Sequence, residues 1–229
     1  MSLIRPLRLL LLGAPGSGKG TQTSRLLKEF PTINAVSSGD ILRSEIAKGS
    51  GIGKEAEGYI KEGTLVPDSV MVKLITGHLM NPKWPGSGEK ASFLLDGFPR
   101  TVPQASQLDQ VLDSHNRELN MVVELDVDQR VILDRIEARW VHVPSGRVYN
   151  LDYNPPKKPY TDDVTGEPLT KRADDTAEVF GKRLDTYNRE LAPLKQYYQK
   201  RGVLHTVSGN TSDIIYPKLS QLIKDNFCK

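Results

Sequence analysis

One segment limits what this chain can fold into more than any other. Residues 13–21 read Gly-Ala-Pro-Gly-Ser-Gly-Lys-Gly-Thr, after an apolar run at 7–12 and before a helical spacing at 21–30. Gly13, Gly18 and Lys19 hold the spacing of a phosphate-binding loop, and a strand before it with a helix after it is the context such a loop needs. Its glycines let backbone N–H groups turn toward one point. The helix N-terminus adds partial positive charge and Lys19 a full one, so the guest is a polyphosphate. Gly20 stands where Ser or Thr usually follows the lysine, with Thr21 next. The usual hydroxyl ligand of Mg²⁺ therefore lacks its residue.

The rest of the chain extends this strand–loop–helix unit. Short runs rich in Leu, Val and Ile at 7–12, 33–36, 92–95, 121–125 and 203–207 lack polar alternation. Strands covered on both faces look like this. Helical spacing at 21–30, 70–79, 104–112 and 131–139 alternates with them, so the fold class is α/β with a five-stranded parallel sheet. Two stretches break the rhythm. Residues 37–66 read as a helical excursion, with helices at 41–47 and 54–61. Residues 140–173 hold Pro144, Pro155, Pro156, Pro159, Pro168, Gly146 and Gly166, with a hairpin pairing 141–143 to 147–149. They read as a small β-rich insertion. Helices at 176–201 and 213–226 end the chain.

Composition removes other classes. The 229 residues are 38% hydrophobic and 26% charged, which suits a globular chain with a sizeable core. A net charge of +3 is small for a nucleic-acid binder, so none is expected as partner. The single Cys228 rules out a disulfide framework. No apolar run reaches the roughly 18 residues of a membrane span. The first 28 residues carry Arg5, Arg8, Lys19, Arg25 and Lys28 without an acid. That is weakly like a transit sequence, but from residue 7 onward it is strand and loop that the fold needs. No Asn is followed by Lys, so the guanine-reading signature of GTPase switch proteins is missing. Two arginines lie just past predicted strands: Arg43 in Ser-Ser-Gly-Asp-Ile-Leu-Arg (37–43) and Arg100 in Leu-Asp-Gly-Phe-Pro-Arg (95–100). Open α/β sheets bind ligands at the carboxyl ends of their strands, where two arginines can grip a second phosphate. A small-molecule kinase follows.

The loop, these two segments, His-Val-Pro-Ser-Gly-Arg-Val-Tyr-Asn (142–150), Tyr-Asn-Pro-Pro-Lys (153–157), Asp-Asp-Val-Thr-Gly-Glu (162–167) and Arg172 with Asp174 and Asp175 make a specific set. With them the chain resembles the adenylate kinase family, in its long-lid form, over nearly its full length. Ala138–His142 is most similar to the mitochondrial GTP:AMP phosphotransferases of that family, the fungal ones in particular. The resemblance implies a P-loop kinase core at 1–36, 67–137 and 176–229, a monophosphate-binding insertion at 37–66 and a lid at 138–175. It implies phosphoryl transfer from Mg²⁺-bound GTP or ITP to AMP, with ATP as the alternative donor; a non-catalytic nucleotide-binding module is the remote alternative.

The same resemblance distributes the roles. Gly13, Pro15, Gly16, Ser17, Gly18, Lys19, Gly20 and Thr21 surround the donor phosphates, Arg135 stacks on the donor base, and Tyr149 joins that side. Arg43 and Arg100 grip the AMP phosphate, Gln104 and the backbone of Thr64, Leu65 and Val66 read adenine, and Ser38 and Gly97 lie nearby. Arg139, Arg172 and Arg183 surround the moving phosphoryl group, and the last two also reach AMP. Asp96 orders the water shell of Mg²⁺, with Asp40 helping. Zinc-bearing lids of the family carry four ligands where this chain has His142, Ser145, Asp162 and Thr165. Ser and Thr are poor zinc ligands, so a hydrogen-bonded polar cluster is expected there and no structural zinc. A monomer in the mitochondrial matrix is implied, with a cytoplasmic location as the alternative.

Overall fold

The structure, a computed structural model, describes residues 2–151, 154–172 and 175–228. Tyr153 and Asp174, both part of the motif set above, lie outside the described residues.

The five apolar runs form one parallel sheet of β1 (Arg8–Leu12), β2 (Ile33–Ser37), β3 (Ser92–Asp96), β4 (Met121–Asp126) and β7 (Leu204–Ser208), in the order β2-β3-β1-β4-β7. β1 is central: Leu10 lies beside Leu95 on one side and Val122 on the other. Alternate residues point to opposite faces, so each face is covered by its own apolar cluster. Leu9, Leu11, Val123 and Leu94 pack with Leu26 of α1 (Lys19–Glu29) and Ile215, Leu219 and Ile223 of α8 (Ser212–Phe227). Leu10, Leu95 and Val122 pack with Ile75 of α4 (Asp68–Leu79) and with Ala105 and Leu108 of α5 (Val102–Asp113).

Most helices begin a residue or more ahead of their apolar spacing, because polar side chains cap them. Ser37, Thr101, Thr176 and Thr211 accept from the backbone N–H of Asp40, Gln104, Val179 and Ile214. Such caps satisfy amides that the helix itself leaves open. The helical excursion is α2 (Ser38–Ala47) and α3 (Gly51–Glu62), and α6 (Gln129–Glu137) follows β4. The hairpin of the second insertion starts earlier than its apolar pattern: β5 (Arg139–His142) pairs antiparallel with β6 (Arg147–Asn150). α7 (Ala177–Lys200) leads from it back to the core. Residues 80–90 fold around the buried Arg117, which donates to the carbonyls of Leu79 at 3.0 Å and Gly86 at 2.5 Å. Among the described residues no helix is long and apolar enough to cross a membrane.

Candidate functional site

A cleft opens at the carboxyl ends of β1 and β3, where the loops after both strands meet α2, the end of α3 and α7. Gly13, Pro15 and Lys19 form its floor. The tight loop needs glycine at residue 16, whose φ is +80° and whose Cβ would stand 2.7 Å from Ile132 Cγ2. Lys19 Nζ donates to the carbonyls of Gly13 at 2.7 Å and Ala14 at 3.0 Å. Burial pushes its pKa down to about 8; Asp96 resists that, while Arg100, Arg183 and Arg139 add to it. The carboxyl of Asp96 is in turn pushed up by burial and held down by Lys19 and Arg100. These groups thus share one field, the condition under which charged side chains shift one another. Ser17 Oγ is buried in this loop with no hydrogen-bond partner among the described residues. Gly18, with φ +93°, leads into α1, whose first turn carries no acidic side chain. Gly20 faces open space and Thr21 is half-buried.

The opposite wall holds the other predicted group. Gly39, Arg43, Thr64, Leu65, Val66, Gly97, Arg100 and Gln104 all line the same cleft. Gly97 has φ +81°, and a Cβ there would meet Ser38 Oγ at 2.8 Å, so only glycine lets the β3 loop approach α2. Ser38 Oγ is buried and has no hydrogen-bond partner among the described residues. Gln104 is fixed at both ends of its amide: Oε1 accepts from Arg100 N at 2.8 Å, and Nε2 donates to Asp68 at 2.7 Å. Arg43 pairs with Asp40. Arg183 comes from α7, together with Thr186, Tyr187, Glu190 and Leu191, which close the cleft. Sequence reading missed these last four. A long helix gives no signal of which turn faces a ligand.

The β-rich insertion approaches α2 beside this cleft. Its turn residue Gly146 comes to 3.5 Å from Asp40 Oδ2, measured from the Cβ position. Arg139 makes a two-pronged pair with Asp175, Nε to Oδ2 at 2.8 Å and Nη2 to Oδ1, and the Asp175 side chain is only 1% exposed. Arg172 is pushed down to about 10, first by burial and then by Arg43 and Arg139, with Asp175 and Asp40 opposing. The four zinc-type positions do converge as a polar cluster. His142 Nδ1 lies 2.7 Å from Ser145 Oγ, and Thr165 Oγ1 donates to Asp162 at 3.0 Å. Arg147 adds two bonds to Asp162, at 2.7 and 2.6 Å, and Glu167 lies 2.5 Å from His142 Nε2. Trp140 packs on Tyr160 with centroids 4.7 Å apart.

The Tyr149 side chain lies within the insertion. It is 6% exposed, and its hydroxyl donates to Asp162 at 2.9 Å. The reason is register. Arg139 lies opposite Asn150, and Trp140 opposite Tyr149, so these pairs point to opposite faces of the hairpin. Asn150 shares the face of Arg139, and its Nδ2 donates to the Arg135 carbonyl at 3.0 Å. Arg135 Nη2 donates to the Asn210 carbonyl at 2.6 Å, beside Gly18.

Among the described residues no group of three or more His, Cys, Asp and Glu could hold a metal ion. Comparison with known proteins agrees with the geometry. The family model for adenylate kinase matches residues 11–203. A mitochondrial GTP:AMP phosphotransferase of Saccharomyces cerevisiae is 62% identical over 225 residues, covering 98% of this chain and 95% of that protein. An adenylate kinase of Vanderwaltozyma polyspora is 42% identical, covering 96% of this chain and 97% of its own. One from Aspergillus niger is 45% identical, covering 88% and 76%. A glycine-rich phosphate loop, an arginine-lined cleft and an insertion beside it agree with a match spanning most of the sequence: the chain belongs to the adenylate kinase family.

Proposed function

We propose that this nucleoside monophosphate kinase transfers a phosphoryl group reversibly from GTP to AMP. The observation that carries this is the convergence of Asp96, Arg100, Arg139 and Arg183 on one field around Lys19, between the phosphate loop and the wall bearing Arg43 and Gln104. Phosphoryl transfer requires in-line positioning and stabilisation of spread negative charge, and these groups offer little else. The donor triphosphate lies on residues 13–21, with Lys19 leaving the loop carbonyls for its phosphates. Arg43 and Arg100 hold the AMP phosphate, and Arg139, Arg172 and Arg183 surround the moving group. The acceptor needs no general base, because a phosphate monoester with a second pKa near 6 is mostly dianionic at pH 7. The insertions at 37–66 and 138–175 act as acceptor clamp and lid, closing to exclude water as a competing acceptor.

Adenylate kinases act on nucleotides with Mg²⁺. The site fits an ion that arrives on the nucleotide: Asp96 is one buried carboxylate beside Lys19, with Gly20 and Thr21 next along the loop. Asp96 would hold the ion through water, and the ion would neutralise triphosphate charge. GTP as donor is supported by the name of the yeast relative, which also places that relative in mitochondria. A mitochondrial location, in the matrix, follows as part of this proposal. The test is the initial rate to AMP with GTP, ITP, ATP and UTP, with Mg²⁺ and after chelation. GTP well ahead of ATP upholds the proposal. ATP ahead makes the chain an ATP-dependent adenylate kinase.

A further inference from the structure

The first residues of α8, just after the turn from β7, come close to the phosphate loop and are bonded from α1. Ser212 Oγ lies 3.5 Å from the Cβ position of Gly18, and Arg135 Nη1 lies 3.9 Å from it. The Asn210 carbonyl receives Arg135. The Ser212 carbonyl receives Gln22 Nε2 at 3.3 Å and Arg25 Nη1 at 3.2 Å, and Arg25 Nη2 reaches Asp213 at 2.7 Å. Gln22 and Arg25 stand three residues apart on one face of the helix that Lys19 begins. One rigid element therefore carries both the phosphate-binding lysine and the two side chains that anchor the turn.

We propose that Gln22 and Arg25 are positioning residues for the donor nucleotide, fixing the 209–212 turn against Arg135 and so setting which donor base is accepted. This rests on the assignment above of the triphosphate to residues 13–21 and of Arg135 to the base. The pair is not needed merely to fasten α8 to α1. That contact has its own polar centre at Glu29, which accepts from Tyr216 at 2.5 Å, Ser220 at 2.8 Å and Lys224 at 2.6 Å, besides its apolar core. Loss of Arg25 leaves the helices packed and removes two of the bonds that hold this segment, to the Ser212 carbonyl and to Asp213.

The experiment measures KM for GTP, ATP and AMP, kcat and Tm for Arg25→Ala, Arg25→Lys, Asp213→Asn and Glu29→Gln, with Lys19→Ala and Arg135→Ala in parallel. Arg25→Ala is expected to raise the donor KM about tenfold and to change the GTP-over-ATP ratio of kcat/KM at least about threefold, with AMP KM and kcat within about twofold. Asp213→Asn follows in the same direction with a smaller change. Arg25→Lys restores most of the donor KM. Glu29→Gln lowers Tm and leaves the donor KM alone. An Arg25→Ala enzyme with wild-type donor KM and donor ratio overturns the proposal, as does an equal rise in donor and AMP KM. Wild-type donor KM in Lys19→Ala and Arg135→Ala would instead remove the donor-site assignment, and the proposal with it.

Discussion

The core and the lid hold themselves together by different means. The core sheet lies between two apolar clusters, with Leu9, Leu10, Leu94 and Val122 fully buried. The lid has at its centre a carboxylate, Asp162, bonded by Arg147, Tyr149 and Thr165. Apolar burial is non-directional and tolerant of small displacements, whereas a bonded polar cluster has one geometry and loses much when a partner goes. Two buried carboxyls show the contrast. In the core, burial pushes Asp109 up to about 6, with Arg201 and Tyr197 opposing. In the lid, the Arg147 guanidinium leads a set of donors that hold Asp162 far below the usual carboxylate range.

The seam between the two regions should show the largest effect. Lys19→Ala is expected to lower kcat by at least about 10³-fold, the scale of lost charge stabilisation in phosphoryl transfer. It should not lower the Tm of the nucleotide-free protein. A buried ammonium with its pKa depressed to about 8 costs stability below that pH, and the cost is relieved as pH rises toward the unfolded value. Donor kcat/KM should fall above about pH 8, because the phosphates need the charged form. A pH-independent donor kcat/KM between 7 and 10 would contradict this field at Lys19.

The core side is tested by Leu94→Ala. That side chain is 0% exposed in the middle of the sheet. Its loss should lower global stability by about 2–5 kcal/mol, read in chemical denaturation. The lid side is tested by Asp162→Asn. We expect faster proteolysis within 138–175 and a donor KM raised several-fold, with the main thermal transition nearly unmoved. Global loss matching that of Leu94→Ala would erase the distinction between the regions. The depressed carboxyl contributes stability above its unfolded pKa and loses it only as pH falls through its folded value. Lid protection should therefore persist at pH 5.

The smallest effect is that of Asp109→Asn. A raised acid pKa favours the folded state at low pH, so wild-type stability should decline as pH rises from about 4 through 6. The variant should flatten that slope. An unchanged slope would assign it to another group.

Much of this was legible in the sequence, for local reasons. The glycine-rich loop, the five unalternating apolar runs and the proline-rich interruption each need only neighbouring residues to be recognised. The strands appear within a residue or so of their patterns, and the hairpin was visible from its Pro-Ser-Gly turn. The face that the Tyr149 and Asn150 side chains take was not legible, because one residue of hairpin register decides it and the motif does not fix that register.

The amino-acid sequence by itself therefore determined the α/β class, the phosphate loop and the arginines that meet in the cleft, because spacing along the chain encodes periodicity and turn chemistry. The tertiary structure alone decided the convergence of charge on Lys19 and Asp96, the closing of the cleft by Tyr187 and Glu190, the pairing of Arg139 with Asp175 and the anchoring of the last turn by Arg25. Burial, electric field and contacts across nearly the whole chain depend on distances in space, and separation along the chain does not specify them.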